Sequence, residues 1–298
     1  MIAIDVGQSG SRVRCDGVEI ILERGKLAGE DILTTIRNIS ESIPEFRSET
    51  VSLSLTGFAG EVSNPVPFHD ICAEVFGSKE TAVIDDGLAS FAGALQGQVG
   101  VVLAIGGGVV AVAGKDNNFS HVDGLGSTFG DEGAGFWLGS RAISRALATR
   151  EGRDDKVALL EKFQDEVNAY DNLIVKNSSD AVLLAIESAR KLLECADQKI
   201  PGAVEIRDEG ARLLGKTIIA AWKNVGGLSS EYPNLCITGG LAKNRNYTEL
   251  ISRQVCQEIA GARTVSSKGN NLDGAVWIAE NLREDLSPML RWARSTTL

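Results

Sequence analysis

The chain has 298 residues, of which 43% are hydrophobic and 23% are charged, and its formal net charge is −10. This composition is typical of a globular protein that buries its core in one large domain or in two lobes. The acidity argues against nucleic-acid and membrane partners. The scattered cysteines and histidines do not form a zinc motif, and the sequence shows neither a signal peptide nor a membrane-length apolar run. We therefore expect a cytoplasmic protein with reduced thiols.

The first hundred residues alternate between predicted strands and predicted helices. Residues 1–6 predict a strand that enters a glycine-rich turn, and Asp16–Gly17 predicts a hairpin turn between Ser11–Cys15 and Val18–Leu22. Apolar residues that alternate predict further strands, and apolar residues at helical spacing predict the helices between them. The further strands are 51–58 and 81–86, and the helices are 30–43, 69–76 and 87–96.

The layout of strand, glycine turn and strand recurs near residue 100. An apolar strand at 99–107 enters a run of glycines, and a second strand follows at 109–114. The remaining predicted elements are a largely helical region over 132–226, a strand at 234–240, a helix at 244–260 and a strand–helix pair over 263–282. We therefore predict an α/β fold with two related lobes, 1–96 and 97–283, around a cleft. A helix over 284–298 is expected to pack back on the first lobe.

One segment matches the P-loop pattern but lies in the wrong context. The sequence GARLLGKT at 210–217 fits GxxxxGK[ST]. Apolar residues recur at helical spacing straight through the match, however, so its amides are expected to bond carbonyls one turn back and cannot cradle a phosphate. We interpret the match as accidental.

The stretch IDVGQSGSR at 4–12 is the first candidate phosphate loop. Glycines at 7 and 10 let backbone amides approach phosphate oxygens, and Ser9 adds a hydroxyl donor. Asp5, at the end of the strand, can hold Mg²⁺ through water. The alternative for the same residues is an ordinary hairpin turn.

Three further segments place glycines or acids at the ends of predicted strands. AIGGGVV at 104–110 repeats the glycine turn, and CITGGLAKN at 236–244 places two glycines between a strand and a helix. VIDDGLAS at 83–90 places two acids where a strand meets a helix. Together the four segments point to a nucleotide site with a carboxylate beside it.

This set of motifs resembles the actin-like ATPase superfamily, whose lobes have a ribonuclease H-like fold. Within that superfamily, GLGSTFGDEGAGFWLG at 124–139 is similar to a segment of the BadF/BadG/BcrA/BcrD ATPase family and of its N-acetylglucosamine kinase relative. The resemblance implies ATP and Mg²⁺ as cofactors, with Asp5 toward the metal. The residues that it implies at the nucleotide are Gly7, Gln8, Ser9, Gly10, Gly106, Gly107, Gly108, Gly239, Gly240, Leu241 and Asn244.

The same resemblance implies a sugar site and a catalytic base. The residues implied at the sugar are Asp86, Gly124, Leu125, Gly126 and Asp131. Asp86 matches the acid that takes the proton of the sugar hydroxyl, and it is preferred over Asp85 because it stands nearer the helix turn. The alternative role for Asp86 is that of a helix N-cap, and Asp131 could likewise start the helix that runs through Trp137.

Several positions depart from the family pattern. Gln8 and Ser9 stand where Gly and Thr are usual, Gly107 and Val109 replace the Thr and Ser of the second motif, and Leu125 replaces a Trp. Two hydroxyl donors are therefore absent, so backbone amides must bind the phosphates. The asparagine that contacts the sugar has no match near 23–30.

Three functions remain open from the sequence. The first is ATP-dependent phosphorylation of a hexose or amino sugar, with N-acetylglucosamine or glucosamine as the favoured substrate. The second is an ATPase activator of a dehydratase or reductase, and the third is a non-catalytic nucleotide or sugar sensor. The partner expected in the first case is a small sugar, and a homodimer is one of the oligomeric states left open.

Overall fold

The computed structural model describes residues 1–7, 10–23, 25–26, 30–173 and 178–295. The strands are β1 (Ile2–Val6), β2 (Ser11–Cys15), β3 (Val18–Leu22), β4 (Thr50–Leu55), β5 (Glu80–Asp85), β6 (Gly100–Ile105), β7 (Val109–Lys115), β8 (Asn118–Asp123), β9 (Asn234–Thr238), β10 (Arg263–Thr264) and β11 (Leu290–Arg294). The helices are α1 (Ile32–Glu41), α2 (Val66–Phe76), α3 (Asp86–Leu95), α4 (Gly135–Arg150), α5 (Val157–Lys162), α6 (Gln164–Leu173), α7 (Ser178–Asp197), α8 (Ala203–Asn224), α9 (Arg245–Glu258) and α10 (Asn271–Asn281). Within the described ranges, no helix is long and apolar enough to cross a membrane.

The first sheet has six strands in the order β11-β5-β4-β1-β2-β3. Strands β1, β4 and β5 are parallel neighbours, whereas β2 and β3 continue the sheet as the predicted antiparallel hairpin. The central strands are buried along almost their whole length, and Ile2, Ile4 and Leu53 have no exposed surface. Burial on both faces is typical of parallel strands covered by helices. The arrangement brings the carboxyl ends of β1, β4 and β5 to one edge.

The second sheet has five strands in the order β10-β9-β6-β7-β8. The predicted turn at 115–118 is found, but the strand β8 that follows it was not predicted because its residues are polar or only partly buried. Within the region 132–226, which is largely helical as predicted, α5 and α6 are separate helices because Phe163 leaves the helical conformation between them.

Contacts between Cα atoms divide the chain into two compact units. Unit 1 contains Met1–Val102, Val112–His121 and Val265–Leu298, and unit 2 contains Leu103–Ala111 and Val122–Thr264. The predicted second lobe, 97–283, differs from unit 2 at both ends. Helix α10 belongs to unit 1, where it packs on α3 and β4.

The helix predicted over 284–298 is wrong. Its described part contains the strand β11, which pairs antiparallel with β5 at the edge of the first sheet. Leu290 and Trp292 are buried while Arg291 between them is partly exposed, which is the period-two pattern of an edge strand. Burial of the indole against unit 1 outweighs the helical preference of this short segment.

The P-loop match at 210–217 lies inside α8, as the apolar spacing predicts. Leu214 and Ile218 are buried on one face of that helix, and its backbone amides are part of a continuous helical ladder. The interpretation of the match as accidental is confirmed.

Candidate active site

In unit 1, acids collect at the carboxyl ends of the parallel strands. Asp5 is the second-last residue of β1, Asp85 ends β5 and Asp86 begins α3, while Thr56 directly follows β4. Ligands of open α/β sheets bind outside the carboxyl ends of the strands. This acidic edge, made of Asp5, Thr56, Asp85 and Asp86, is therefore the first candidate site.

Asp85, and not Asp86, caps the helix at this edge. The Asp85 carboxylate accepts hydrogen bonds from the amide of Gly87 at 2.9 Å and from the amide of Gly60 at 3.1 Å. Asp85 is the N-cap residue of α3, and its side chain is buried. The N-cap role considered for Asp86 is therefore wrong, and the Asp86 carboxylate does not serve as the cap of this helix.

The environment of Asp86 holds its proton unusually tightly. Desolvation by burial and the neighbouring charges of Asp85 and Asp5 raise the pKa of Asp86 to about 7, although hydrogen bonds from Thr56 and from the Gly87 amide favour the charged form. A carboxylate with a pKa near neutrality accepts a proton efficiently without being permanently protonated. The geometry and the charge pattern together make Asp86 the strongest candidate base in unit 1.

The side chain of Asp5 is buried and held from two directions. Arg12 Nη2 lies 2.7 Å from one carboxylate oxygen, and the Ser54 hydroxyl donates to the other at 2.8 Å. A carboxylate offers about four lone-pair positions. Asp5 thus retains capacity for a water molecule of a hydrated cation, and the oxygen-only chemistry of this edge suits Mg²⁺.

The turn between β1 and β2 is partly described. The Gly7 amide donates to the Gly10 carbonyl at 3.0 Å, and the Gly7 carbonyl accepts from the Lys26 amide at 2.9 Å. A Cβ atom at Gly10 would approach the Leu22 carbonyl oxygen to 3.1 Å, so the turn lies tightly against β3. The expected phosphate contacts of Gln8 and Ser9 lie outside the described residues.

In unit 2, the second glycine turn joins β6 to β7 and rests on the start of α4. The Gly106 amide donates to the Gly108 carbonyl at 2.9 Å and closes the turn. The amides of Gly135 and Phe136, in the first turn of α4, donate to the carbonyls of Gly106 and Gly107 at 2.9 Å each. Those two carbonyls are thereby turned toward the helix, which fixes the orientation of the turn.

Asp131 supports this glycine turn. Its Oδ1 accepts from the Val109 amide at 3.1 Å, and a Cβ atom at Gly108 would approach Asp131 Oδ2 to 2.6 Å. Its own amide donates to Asp123 at 2.8 Å. Burial raises the pKa of the Asp131 carboxyl, and the charge of Asp123 adds to that effect. The expectation that Asp131 starts α4 is wrong, because Ala134 is the N-cap residue.

The segment before Asp131 exposes its side chains. Gly124 and Gly126 have φ angles of 72° and 81°, in the left-handed region that favours glycine. Leu125 between them is 67% exposed. The proposed sugar contacts of these three residues therefore lie on an accessible turn of unit 2 and stay predictions.

Gly240, in the turn after β9, borders two adjoining cavities of unit 2. Gly239 has φ 96°, and a Cβ there would overlap the Ile105 carbonyl, so glycine is required. Gly240 and Leu241 line a cavity of about 430 Å³ that also reaches Gly106 and Gly107. They also line a second cavity of about 230 Å³ that contains Asn244. Gly106, Gly107, Gly240, Leu241 and Asn244, which the resemblance implied at the nucleotide, thus line these two cavities.

Asn244 has a structural role beside the smaller cavity. Its side-chain oxygen accepts from the Tyr247 amide at 2.8 Å as the N-cap of α9, and its amide nitrogen donates to Asp197 at 2.9 Å. Tyr247 is buried, and its hydroxyl donates to the Gly133 carbonyl at 2.7 Å. Asn244 therefore fixes the start of α9 beside the smaller cavity.

The sequence analysis missed the wall that α7 contributes to these cavities. Ile186, Glu187 and Arg190 line the larger cavity, and Arg190, Leu193 and Glu194 line the smaller one. These residues recur at spacings of one, three and four, which place them on one face of a helix. Glu187, Arg190 and Glu194 are exposed like the polar face of most helices, so no signal in the sequence set them apart.

Comparison with solved structures identifies the fold of the chain. The fold is shared with actin-like ATPase sugar kinases, which confirms the predicted fold class. A candidate N-acetylglucosamine kinase from Chromobacterium violaceum superposes with a TM-score of 0.69 at 19% identity, covering 93% of this chain and 98% of that one. A glucokinase of the ROK family from Streptomyces griseus, solved with glucose and AMPPNP, gives 0.56 at 17%, covering 94% and 97%.

The family follows from the sequence. The family model described as BadF/BadG/BcrA/BcrD ATPase family matches residues 8–279, so the chain belongs to this family and the predicted resemblance is confirmed. A curated relative, the N-acetylmuramic acid/N-acetylglucosamine kinase of Clostridium acetobutylicum, is 25% identical over 213 residues, which is 67% of each chain.

Proposed function

We propose that this protein transfers the terminal phosphoryl group of ATP to a hydroxyl of a hexose or amino sugar. The observation that carries the proposal is Asp86: it stands at the carboxyl edge of the parallel strands, it is partly buried, its pKa is raised to about 7, and the neighbouring Asp85 performs the capping. A structural carboxylate would be used to cap a helix, as that of Asp85 is.

In this proposal Asp86 orients the acceptor hydroxyl and takes its proton. Phosphoryl transfer depends on positioning and on neutralising charge more than on covalent help from the protein. A general base contributes roughly 10²–10⁴ in rate. Thr56, whose hydrogen bond favours the charged form of Asp86, keeps the carboxylate oriented toward the acceptor.

Mg²⁺ would bind at the acidic edge through Asp5. When bound, the ion neutralises the charge of the phosphate oxygens. Arg12 and Ser54 hold the Asp5 carboxylate in one orientation, so its free lone pairs point to a fixed position. Within the described residues no cluster of three or more metal-binding side chains occurs, which fits an ion that is carried largely by water and phosphate.

ATP would bind unit 2 through backbone amides. The turn at Gly106–Gly108 is held by α4 and by Asp131, and the cavity of about 430 Å³ runs from this turn to Gly240 and Leu241. A preorganised turn needs no hydroxyl donor, which accounts for the Gly107 and Val109 departures from the family pattern. Membership of an ATPase family supports the same nucleotide.

The favoured acceptors are N-acetylglucosamine and glucosamine. The support is the printed activity of the Clostridium acetobutylicum relative, a kinase of N-acetylmuramic acid and N-acetylglucosamine. The exposed Leu125 of the Gly124–Gly126 segment, with Asp131, is the proposed sugar-contacting surface. N-acetylmuramic acid therefore belongs in the same substrate screen.

The experiment is a screen of ADP release over hexoses and amino sugars with Mg-ATP. We expect sugar-dependent turnover with an amino sugar, nearly abolished by Asp86→Ala. The control is Asp70→Asn, an exposed aspartate of α2, which should keep wild-type turnover. Wild-type turnover in Asp86→Ala would refute the assignment of the base, and ATP binding without turnover on any sugar would favour a sensor.

A further inference from the structure

The two adjoining cavities of unit 2 have a defined order. Gly106 and Gly107 line only the larger one, whereas Lys243 and Asn244 line only the smaller one. Arg190 and Gly240 line both. A molecule with phosphates at the glycine turn would therefore extend past Arg190 toward Asn244.

Helix α7 forms one wall of this path and is fixed along its length. A Cβ at Gly107 would approach Ile186 Cδ1 to 3.0 Å, so the helix lies directly over the glycine turn. A Cβ at Gly139 would overlap the Ala185 carbonyl, which shows how closely α4 and α7 cross. At the other end, Asp197 accepts hydrogen bonds from Asn244 at 2.9 Å and from Asn246 at 2.8 Å.

Two charged side chains on this wall of α7 form no ion pair in the described part of the chain. Glu187 and Arg190 are exposed, and in the described part of the chain neither has an ion-pair partner. Arg190 Nη2 lies 3.8 Å from the position of a Cβ at Gly240. Glu187 lines only the larger cavity, between the glycine turn and Arg190 in the order given above.

We propose that Glu187 binds the ribose of the nucleotide and that Arg190 lies over its base. A carboxylate is an acceptor only, so Glu187 would accept hydrogen bonds from the ribose hydroxyls. A guanidinium stacks on flat π systems, and Leu241 supplies an apolar surface in the same cavities. The inference rests on the proposed function, because it concerns the nucleotide of that reaction, and it makes Glu187 a specificity residue rather than a catalytic one.

The test compares binding of ATP, 2′-deoxy-ATP and 3′-deoxy-ATP, with Mg²⁺, to the full chain by calorimetry. We expect the wild type to bind ATP about tenfold more tightly than at least one deoxy analogue, because a charge-assisted hydrogen bond is lost. Glu187→Gln should lower the affinity for ATP by about tenfold and remove the discrimination.

Glu249→Gln, which changes an exposed acid of α9 outside both cavities, is the matched control and should keep the discrimination. Unchanged discrimination in Glu187→Gln, with ATP still bound, overturns the ribose assignment and leaves the proposed function intact. A wild type that binds no ATP at all contradicts the proposed function instead. A parallel fall in kcat and in affinity for every nucleotide would show that Glu187 acts on the fold of the site and not on the ribose.

Discussion

The acidic edge of unit 1 and the glycine turn of unit 2 differ in which parts of the chain would act in the proposed reaction. At the acidic edge the proposed active groups are side chains, and Asp5 and Asp86 lie where buried strands end. At the glycine turn the proposed phosphate-binding groups are backbone amides, and Asp131, which is also proposed to contact the sugar, accepts a hydrogen bond from the Val109 amide beside them. Proton transfer requires a titratable side chain, whereas backbone amides approach a phosphate most closely where glycine carries no side chain.

The difference predicts that the acidic edge is sensitive to charge and the glycine turn to shape. Removing a charge in unit 1 should change the chemistry and leave the fold intact. Adding a methyl group near the glycines of unit 2 should disturb the fold first and binding as a consequence. The predictions below test this division.

The largest effect is expected for Asp86→Asn, which keeps the shape of the side chain and removes the base. We expect kcat to fall by about 10³. We also expect Tm at pH 8 to rise by about 2–6 °C, because the charged carboxylate is desolvated and faces Asp85 and Asp5. Calorimetry and steady-state ADP release measure the two changes. A fall in both activity and Tm would show that Asp86 is structural.

The gain in stability should depend on pH with a defined sign. The folded-state pKa of Asp86, about 7, lies above its ordinary value of 3.8. The folded protein therefore binds this proton more tightly than the unfolded chain, and the stability that it contributes is lost as pH rises from about 4 through 7. The Tm difference between Asp86→Asn and wild type should vanish near pH 4.

The second effect is the pH dependence of activity. If Asp86 must be ionised to take a proton, kcat/KM for the sugar should rise about tenfold per pH unit below 7 and reach a plateau above it. Thr56→Val removes a hydrogen bond that favours the charged form, so it should move this transition to higher pH. A profile with no transition between pH 5 and 8 would contradict the base assignment.

The third effect concerns shape in unit 2. Gly239→Ala should destabilise the protein by about 1–3 kcal/mol, since Gly239 has φ 96° and a Cβ there overlaps the Ile105 carbonyl. Gly240→Ala is the matched control for stability, because Gly240 has φ −64° and a Cβ there meets only Arg190 Nη2 at 3.8 Å. Denaturant unfolding measures both. Equal losses in the two variants would mean that backbone conformation is not the cause.

The sequence pattern predicts Asp5 and Asp86 at the ends of two different strands, and both residues lie at the acidic edge. Asp5 and Asp86 follow apolar runs, so local pattern alone places them at one sheet edge. The sequence did not predict which of the two acids caps α3: Asp85 accepts from the nearby Gly87 amide and also from the amide of Gly60, which is distant in the chain. The strand β11 was mistaken for a helix for the same reason, since its partner β5 lies about two hundred residues earlier.

The sequence predicted where the glycine turn lies, but not which residues hold it in place. The letters AIGGGVV show where a backbone can approach phosphate, yet the hydrogen bonds that hold it come from Gly135, Phe136 and Asp131. Glu187 and Arg190 were missed because their neighbours in space, Gly107 and Gly240, lie far from them in sequence. A helical face reveals that residues share a side, but it does not reveal what they face.

The smallest effect is expected for a substitution in the accidental P-loop match at 210–217. It tests whether the helical context of that motif rules out phosphate binding. Lys216 is the lysine of GARLLGKT and is exposed on α8. In a P-loop that lysine binds the β- and γ-phosphates, so its loss would remove nucleotide binding. Here Lys216→Ala should leave the KM for ATP and kcat within about twofold of wild type, and Tm within about 2 °C, because a surface substitution to a good helix former costs little. A loss of ATP binding in this variant would move the phosphate site from the glycine turn to α8.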